Sequence, residues 1–350
     1  MAFLRLTIWL ASGMMCSTGY GQSLTILNWE AYLSDAVIEQ WEATTGASIQ
    51  QIYFDNDETR NSLLTSYDQS TIDLVVIDQV TAPVFGRRGV LLPVSEYRDT
   101  PNLSHIAPMW QTQCGEYSTP YLWGTMGLVY RKDKLAQAPT SWNELLTPAP
   151  SLHGHIGLLE DYTDTLAPSL LVRGADINTS DETLLAEVFA EMRGLLPSVL
   201  TFDYPITFLG ESPQADDLHL ALAYSGDQLE LNDLSGNDSW EYVIPSEGTV
   251  LWVDCLAVLS TSKNQALAFN FLNFINTPSV AAANSEALSV ATTNAAALPL
   301  QSETFRNDRL IYPDKATLDT SQNYDYEMDN ANVRLRNRIT SSLVNLHESE

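Results

Sequence analysis

The sequence predicts an α/β fold whose opening part follows the doubly wound pattern, a parallel sheet with helices on its faces, and three observations predict it. Short apolar runs alternate with helical patterns between residues 24 and 89, which is the βαβαβ order of such sheets. Residues 73–77 read Asp-Leu-Val-Val-Ile without polar alternation, as expected of a strand buried on both faces. Two longer runs, 121–130 and 249–259, carry Gly or Asp in their middles and are natural places for the chain to cross between two lobes. A length of 350 residues accommodates one large domain or two lobes.

Residues 24–27 form the first expected strand, followed by Asn28-Trp29-Glu30-Ala31-Tyr32. Ligands of open α/β sheets bind beyond the carboxyl ends of strands, so Trp29, Glu30 and Tyr32 stand where a ligand would lie. A helix is expected over 34–45, with Val37, Ile38 and Trp41 on one face and Gly46 as its stop. A β-branched and aromatic strand follows at 48–54, then a polar helix at 57–67. After the buried strand at 73–77 comes a short helix at 81–87 closed by Gly89. Ser141 is an expected N-cap for the next helix. Residues 155–159, 165–173 and 181–195 read as a second strand–helix–strand set, and 221–225 as another buried strand. The helix expected over 264–276 carries Leu267, Phe271, Phe274 and Ile275 and ends before Pro278; the last helix spans 330–347. There is no internal repeat and no Gly/Ser linker.

Composition excludes several functions. The chain has 44 acidic and 17 basic residues, a formal charge of −27, so it lacks the basic footprint of a nucleic-acid binder. An anionic membrane surface is disfavoured for the same reason. The bulk acidity reads as solubility or a salty habitat; acids inside a pocket would be the ones that act. Residues 1–21 read as a signal peptide: Arg5 precedes an apolar stretch of about ten residues, and Gly19 and Gly21 offer cleavage points. The mature chain is therefore expected in the periplasm. Cys16 leaves with that segment. Cys114 and Cys255 remain, an even pair in an oxidising compartment, open to three readings: a disulfide, two small core residues, or a nucleophile in one of them. His153 and His155 are too few for a metal site, and no P-loop, dinucleotide or serine-nucleophile pattern is present.

Several stretches together carry a family resemblance. They are Asn28-Trp29-x-x-Tyr32, Asp73-Leu-Val-Val, Pro120-Tyr-Leu-Trp-Gly-Thr, Ser141-Trp-x-Glu-Leu, Gly248-x-x-x-Trp252-x-Asp254-x-Leu-Ala, Phe271-x-Asn273-Phe-Ile-x-x-Pro278 and Ile311-Tyr-Pro-Asp314. In their order and spacing the chain resembles the periplasmic spermidine/putrescine-binding proteins of polyamine ABC transporters. The resemblance implies a two-lobed type II periplasmic-binding-protein fold, with a ligand cleft between the lobes and crossover hinge strands. It implies one lobe from 22–126 and 255–300 and a second from 127–254 and 301–350. The implied function is a monomeric, non-enzymatic receptor, without cofactor or metal, that captures a polyamine and hands it to an ABC permease. A polyamine needs carboxylates for its ammonium groups and flat aromatic walls for its methylenes.

Carried over by position, Trp29 and Tyr32 match one aromatic wall, and Trp252 and Asp254 match the second wall and the chief amine-binding carboxylate. Trp252 and Asp254 alternate onto one face of a strand. Tyr224 stands at a further aromatic position, Asp227 matches a carboxylate of the putrescine-preferring branch, and Asp78 replaces a usual Ser. Glu30, Tyr162 and Tyr324 are lesser candidates. The sequence departs from the family at Tyr162 and Thr165, where an acidic pair belongs, and at Val80 and Val290, where aromatics belong. Asp161 and Asp164 read as solvated acids at a helix N-terminus, and Trp123, Tyr121 and Tyr130 as structural residues. Three further readings stand beside the first: presentation of the ligand to a membrane sensor, a Cys114-dependent enzyme of the thiamin-cleaving type, and Fe³⁺ binding through Tyr324 and Tyr326.

Overall fold

Seven residues, Ser23–Trp29 (β1), pair in parallel register with seven more, Ser48–Phe54 (β2). The computed structural model describes residues 22–54, 57–66, 71–325 and 328–349. The expected signal segment 1–21 and Tyr326 lie outside the described residues. Between β1 and β2 runs a helix, α1 (Asp35–Thr45), which ends at Gly46 in the left-handed region with φ 72°, where glycine carries no Cβ penalty. Next come α2 (Asp57–Thr65), β3 (Leu74–Asp78) and α3 (Thr81–Arg87). Leu74 and Val76 join one apolar cluster and Val75 and Ile77 another. Alternate side chains point to opposite faces, so both faces are covered, which is why this strand shows no polar alternation.

The remaining strands are β4 (Thr119–Arg131), β5 (Ile156–Gly157), β6 (Val199–Thr201), β7 (Leu220–Tyr224), β8 (Trp240–Val243), β9 (Val250–Val258), β10 (Ala291–Thr292) and β11 (Gln322–Asn323). The main order is β2-β1-β3-β9-β4-β7-β5-β6, with β10 and β8 on β4 and β11 on β9. Strand β4 belongs to both halves. Its first part pairs with β9 and β10, and its second part, from Met126 onward, pairs with β7 and β8. β4 and β9 are the two long runs expected to cross between lobes, and they lie antiparallel side by side.

Some local expectations change. Residues 181–195 form a helix, Glu182–Leu195, with Asp181 accepting from the backbone N–H of Thr183 and Leu184. Its buried Leu185, Val188, Met192 and Leu195 follow the helical period. The strand expected at 155–159 shrinks to two residues. The helix after Ser141 starts only at Asn143, although the Ser141 hydroxyl still accepts from its backbone N–H at 3.1 Å. Phe305, Ile311, Tyr312 and Leu318 pack into the cluster of Val75 and Trp123, whereas Leu335, Ile339 and Leu343 pack into the second-lobe cluster.

Cys114 and Cys255 are joined in a disulfide, with Cα atoms 6.0 Å apart and a sequence separation of 141. This resolves the three cysteine readings and removes the free thiol that a Cys114 nucleophile requires. A closed loop of that length restricts the unfolded chain by about 5 kcal/mol. Reduction is expected to lower Tm by about 10 °C; a melt with and without dithiothreitol, paired with thiol titration, measures it. Equal melting with two titratable thiols in both samples would overturn the assignment.

Candidate functional site

The site begins where β1 ends. Trp29 closes the β1–β2 ladder opposite Phe54 and packs on it at 4.4 Å between ring centroids. The chain then turns through Ala31, whose φ of 53° lies in the left-handed region. That conformation is unfavourable for a residue with a Cβ; here it swings Tyr32 inward. The Tyr32 hydroxyl donates to Asp254 Oδ2 at 2.8 Å, joining residues 222 positions apart. Tyr121 stands edge-on to the Tyr32 ring at 5.9 Å and donates to the Tyr32 carbonyl at 3.1 Å.

Asp254 lies on β9, two residues from Trp252, and the pair shares a face of the strand. Trp252 lies over Gly124 of β4: a Cβ there would come within 2.4 Å of Trp252 Cζ2 and 2.6 Å of Ser225 Oγ. Only glycine allows the indole to lie flat at that crossing. Trp252 Nε1 is buried with no hydrogen-bond partner among the described residues. The Trp252 ring meets Tyr224 edge-on at 6.2 Å, and Tyr224 meets Tyr204 at 6.1 Å.

On the second lobe, the Tyr224 hydroxyl donates to Asp164 Oδ2, and the Tyr324 hydroxyl donates to Asp164 Oδ1 at 2.6 Å. Gln79 of the first lobe donates to the Tyr324 carbonyl at 2.7 Å, and Val80 packs against the second-lobe cluster. The two lobes therefore meet around these side chains. The electrostatics are those of acids out of water. Burial raises Asp254 to about 6 and Asp164 to about 7, and it raises the hydroxyls of Tyr32, Tyr204, Tyr224 and Tyr324 well above their ordinary value. Among the described residues, Tyr32 is the one hydrogen-bond donor to Asp254.

The sequence-selected residues separate into groups. Tyr32, Trp252, Asp254 and Tyr224 come together, and Tyr324 joins them through Asp164. Trp29 packs on Phe54 at the edge of this group. Tyr162 is half-buried near Asp57, Asp78 and Asp161. Glu30 is exposed at the rim, where its charge reaches Glu230 of the opposite lobe. Two of the sequence-selected acids are engaged by the protein's own donors. Asp78 does not present a free carboxylate: Oδ1 accepts from the backbone N–H of Val80 and Thr81 at 2.9 and 2.7 Å, and Oδ2 accepts from Arg60 at 2.8 Å. Asp227 is likewise held by the protein, accepting from Tyr224 N at 2.7 Å and from the Tyr204 hydroxyl; burial raises it to about 7.

Asp164 is the clearest omission. Expected to be solvated, it is 8% exposed and bound by two tyrosines, because the segment 161–166 turns inward rather than capping a surface helix. Asp161 is the acid that organises the turn, accepting from Thr163 and Asp164 backbone N–H. Tyr204 and Arg60 also escaped the sequence. Arg60 left one trace, the i,i+3 spacing from Asp57. With its hydroxyl on Asp164, Tyr324 is committed to a carboxylate, and no group of three His, Cys, Asp or Glu able to hold a metal is found among the described residues.

Residues 36–311 match the family of bacterial extracellular solute-binding proteins. The norspermidine sensor of Vibrio cholerae serotype O1 is 33% identical over 336 residues, which span 96% of this chain and 92% of the relative. The spermidine/putrescine-binding periplasmic protein of Escherichia coli K12 is 26% identical over 303 residues, 85% of this chain and 84% of the relative. The crystal structure of the spermidine/putrescine ABC transporter substrate-binding protein PotD from Streptococcus pneumoniae shares the fold, with a TM-score of 0.77 at 24% identity over 93% of this chain and all of that one. The chain belongs to the bacterial extracellular solute-binding protein family.

Proposed function

We propose that the protein is an extracytoplasmic receptor that captures a spermidine- or putrescine-like polyamine between its lobes and delivers it to an ABC permease in the membrane. One observation carries the reading: Asp254, a half-buried carboxylate with one tyrosine donor whose pKa burial raises to about 6, stands on the same strand face as the Trp252 indole. A buried carboxylate without a cation is unstable in its charged form, and an ammonium supplies that charge while the aromatic ring receives the adjoining methylenes. Tyr224, Trp29 and Tyr32 extend the aromatic surface. The names of the relatives, which bind spermidine, putrescine or norspermidine, support the ligand class. The protein acts by binding and release, without a chemical step. Export to the periplasm accords with the family and with residues 1–21. No helix among the described residues is long and apolar enough to cross a membrane.

A second reading, presentation of the bound polyamine to a membrane signalling protein, is favoured by the 33% identity to a norspermidine sensor. In either case a ligand that binds only the folded protein raises Tm by mass action, by about 2.7 kcal/mol of stability at a hundredfold excess over Kd. Thermal melts against a panel of diamines, triamines, amino acids, thiamin and Fe³⁺ are expected to show shifts with the amines alone. A shift with thiamin or Fe³⁺ and none with amines would overturn the proposal. Pull-down on membranes containing candidate permeases and sensors separates the two partners.

A further inference from the structure

Beside Asp254 sits a cation that the chain itself provides. Arg60 on α2 has 1% of its side chain exposed. Its Nη1 lies 2.8 Å from Asp57 Oδ1 and its Nη2 lies 2.8 Å from Asp78 Oδ2. The guanidinium stands 5.7 Å from the centroid of Phe54, the ring on which Trp29 packs. Asp78 is the direct antiparallel partner of Asp254. Directly opposed residues put their side chains on the same face, and like charges there repel. Arg60 offsets that repulsion. Burial pulls the guanidinium down, but Asp57, Asp78 and Asp254 together outweigh it and keep it charged. Across the lobe boundary the Asp57 and Asp78 charges act on Tyr162, so this group lies toward the second lobe.

The surroundings of Arg60, two carboxylates against an aromatic wall, are those an ammonium group of a polyamine would seek. We infer that Arg60 is a resident cation that fills one anionic subsite of the cleft and thereby limits the ligand to fewer ammonium groups than the acids of the cleft would otherwise accept. The inference rests on the polyamine reading and makes Arg60 the specificity-determining residue within it. The two oxygens of Asp78 are already taken by two backbone N–H groups and the guanidinium. An incoming ammonium would have to displace the single contacts that the buried Arg60 guanidinium makes to Asp57 and to Asp78, whereas Asp254 accepts from Tyr32 alone among the described residues. Excluding a longer ligand by filling its place with a like charge gives selectivity by repulsion as well as by fit.

The test compares 1,4-diaminobutane with the triamine spermidine by calorimetry on wild type, Arg60→Gln and Arg60→Lys. Removing the charge is expected to shift the preference toward the triamine by about tenfold or more, as for an uncompensated buried carboxylate that gains an ammonium partner. Arg60→Lys keeps the charge and is expected to keep the wild-type ratio. An unchanged ratio in Arg60→Gln overturns the inference, while absence of any amine binding in wild type overturns the polyamine reading instead. A crystal structure of wild type with spermidine decides the matter even if Arg60→Gln does not fold. Arg60 is expected to stay between Asp57 and Asp78 with no ammonium on either, and an ammonium found on either carboxylate would overturn the inference.

Discussion

Asp254→Asn is expected to lower polyamine affinity by about a hundredfold or more, the usual consequence of removing one partner of a desolvated, hydrogen-bonded charge pair. The amide keeps the shape and still accepts from Tyr32, so the geometry at 2.8 Å is preserved while the charge is gone. The same substitution is expected to raise the Tm of the unliganded protein near neutral pH, because burial works against the charged carboxylate. Opposite signs for stability and binding separate a functional acid from a structural one, as sites that hold strain for function trade the two against each other. Calorimetry with spermidine and parallel melts measure both. Binding within a few-fold of wild type would remove Asp254 from the site.

Acidification from neutral pH to about 5 is expected to weaken polyamine binding by about ten- to a hundredfold, since each carboxyl that must lose a proton contributes up to tenfold per pH unit below its pKa. Burial raises Asp254 to about 6 and Asp164 and Asp227 to about 7 in the folded protein, above the range of an unfolded Asp. The folded state therefore holds more protons than the unfolded state between roughly pH 4 and 7, so the stability of the unliganded protein falls as pH rises through that window. Asp133, lowered to about 2 by its bond to Arg131, works with the opposite sign, but its effect changes only below roughly pH 4, the unfolded value. A cationic ligand pulls the raised carboxyls back down and releases their protons. Calorimetry in two buffers of different ionisation enthalpy should register proton release on binding at pH 6. Unliganded Tm rising between pH 5 and 7, or binding without proton release, would contradict the electrostatics described above.

How much of the site is legible in the sequence depends on how each residue reaches it. Tyr32, Trp252 and Asp254 are legible because each follows or occupies a strand, where the β-period fixes the facing side. Asp164 is not, because it lies on an irregular turn whose inward direction comes from Thr163 and Asp161 and from two tyrosines 60 and 160 residues away. Asp78 was legible as a cleft acid, but its neutralisation was not: nothing local relates Arg60 to the end of β3. The closing of the Asp227 carboxylate on the backbone of Tyr224 and on Tyr204 was not legible for a similar reason. The strand assigned to 181–195 was a misreading of a period that the residues do carry.

By itself the sequence determined the α/β alternation, the two crossover strands, the acidic character and the family, because these rest on hydrophobic periodicity, on composition and on ordered motifs along the chain. Only the tertiary structure decided which acids are held by the chain's own donors, and that Cys114 and Cys255 are bonded. A carboxylate's availability depends on which groups from distant segments reach it, and no local pattern records that distance.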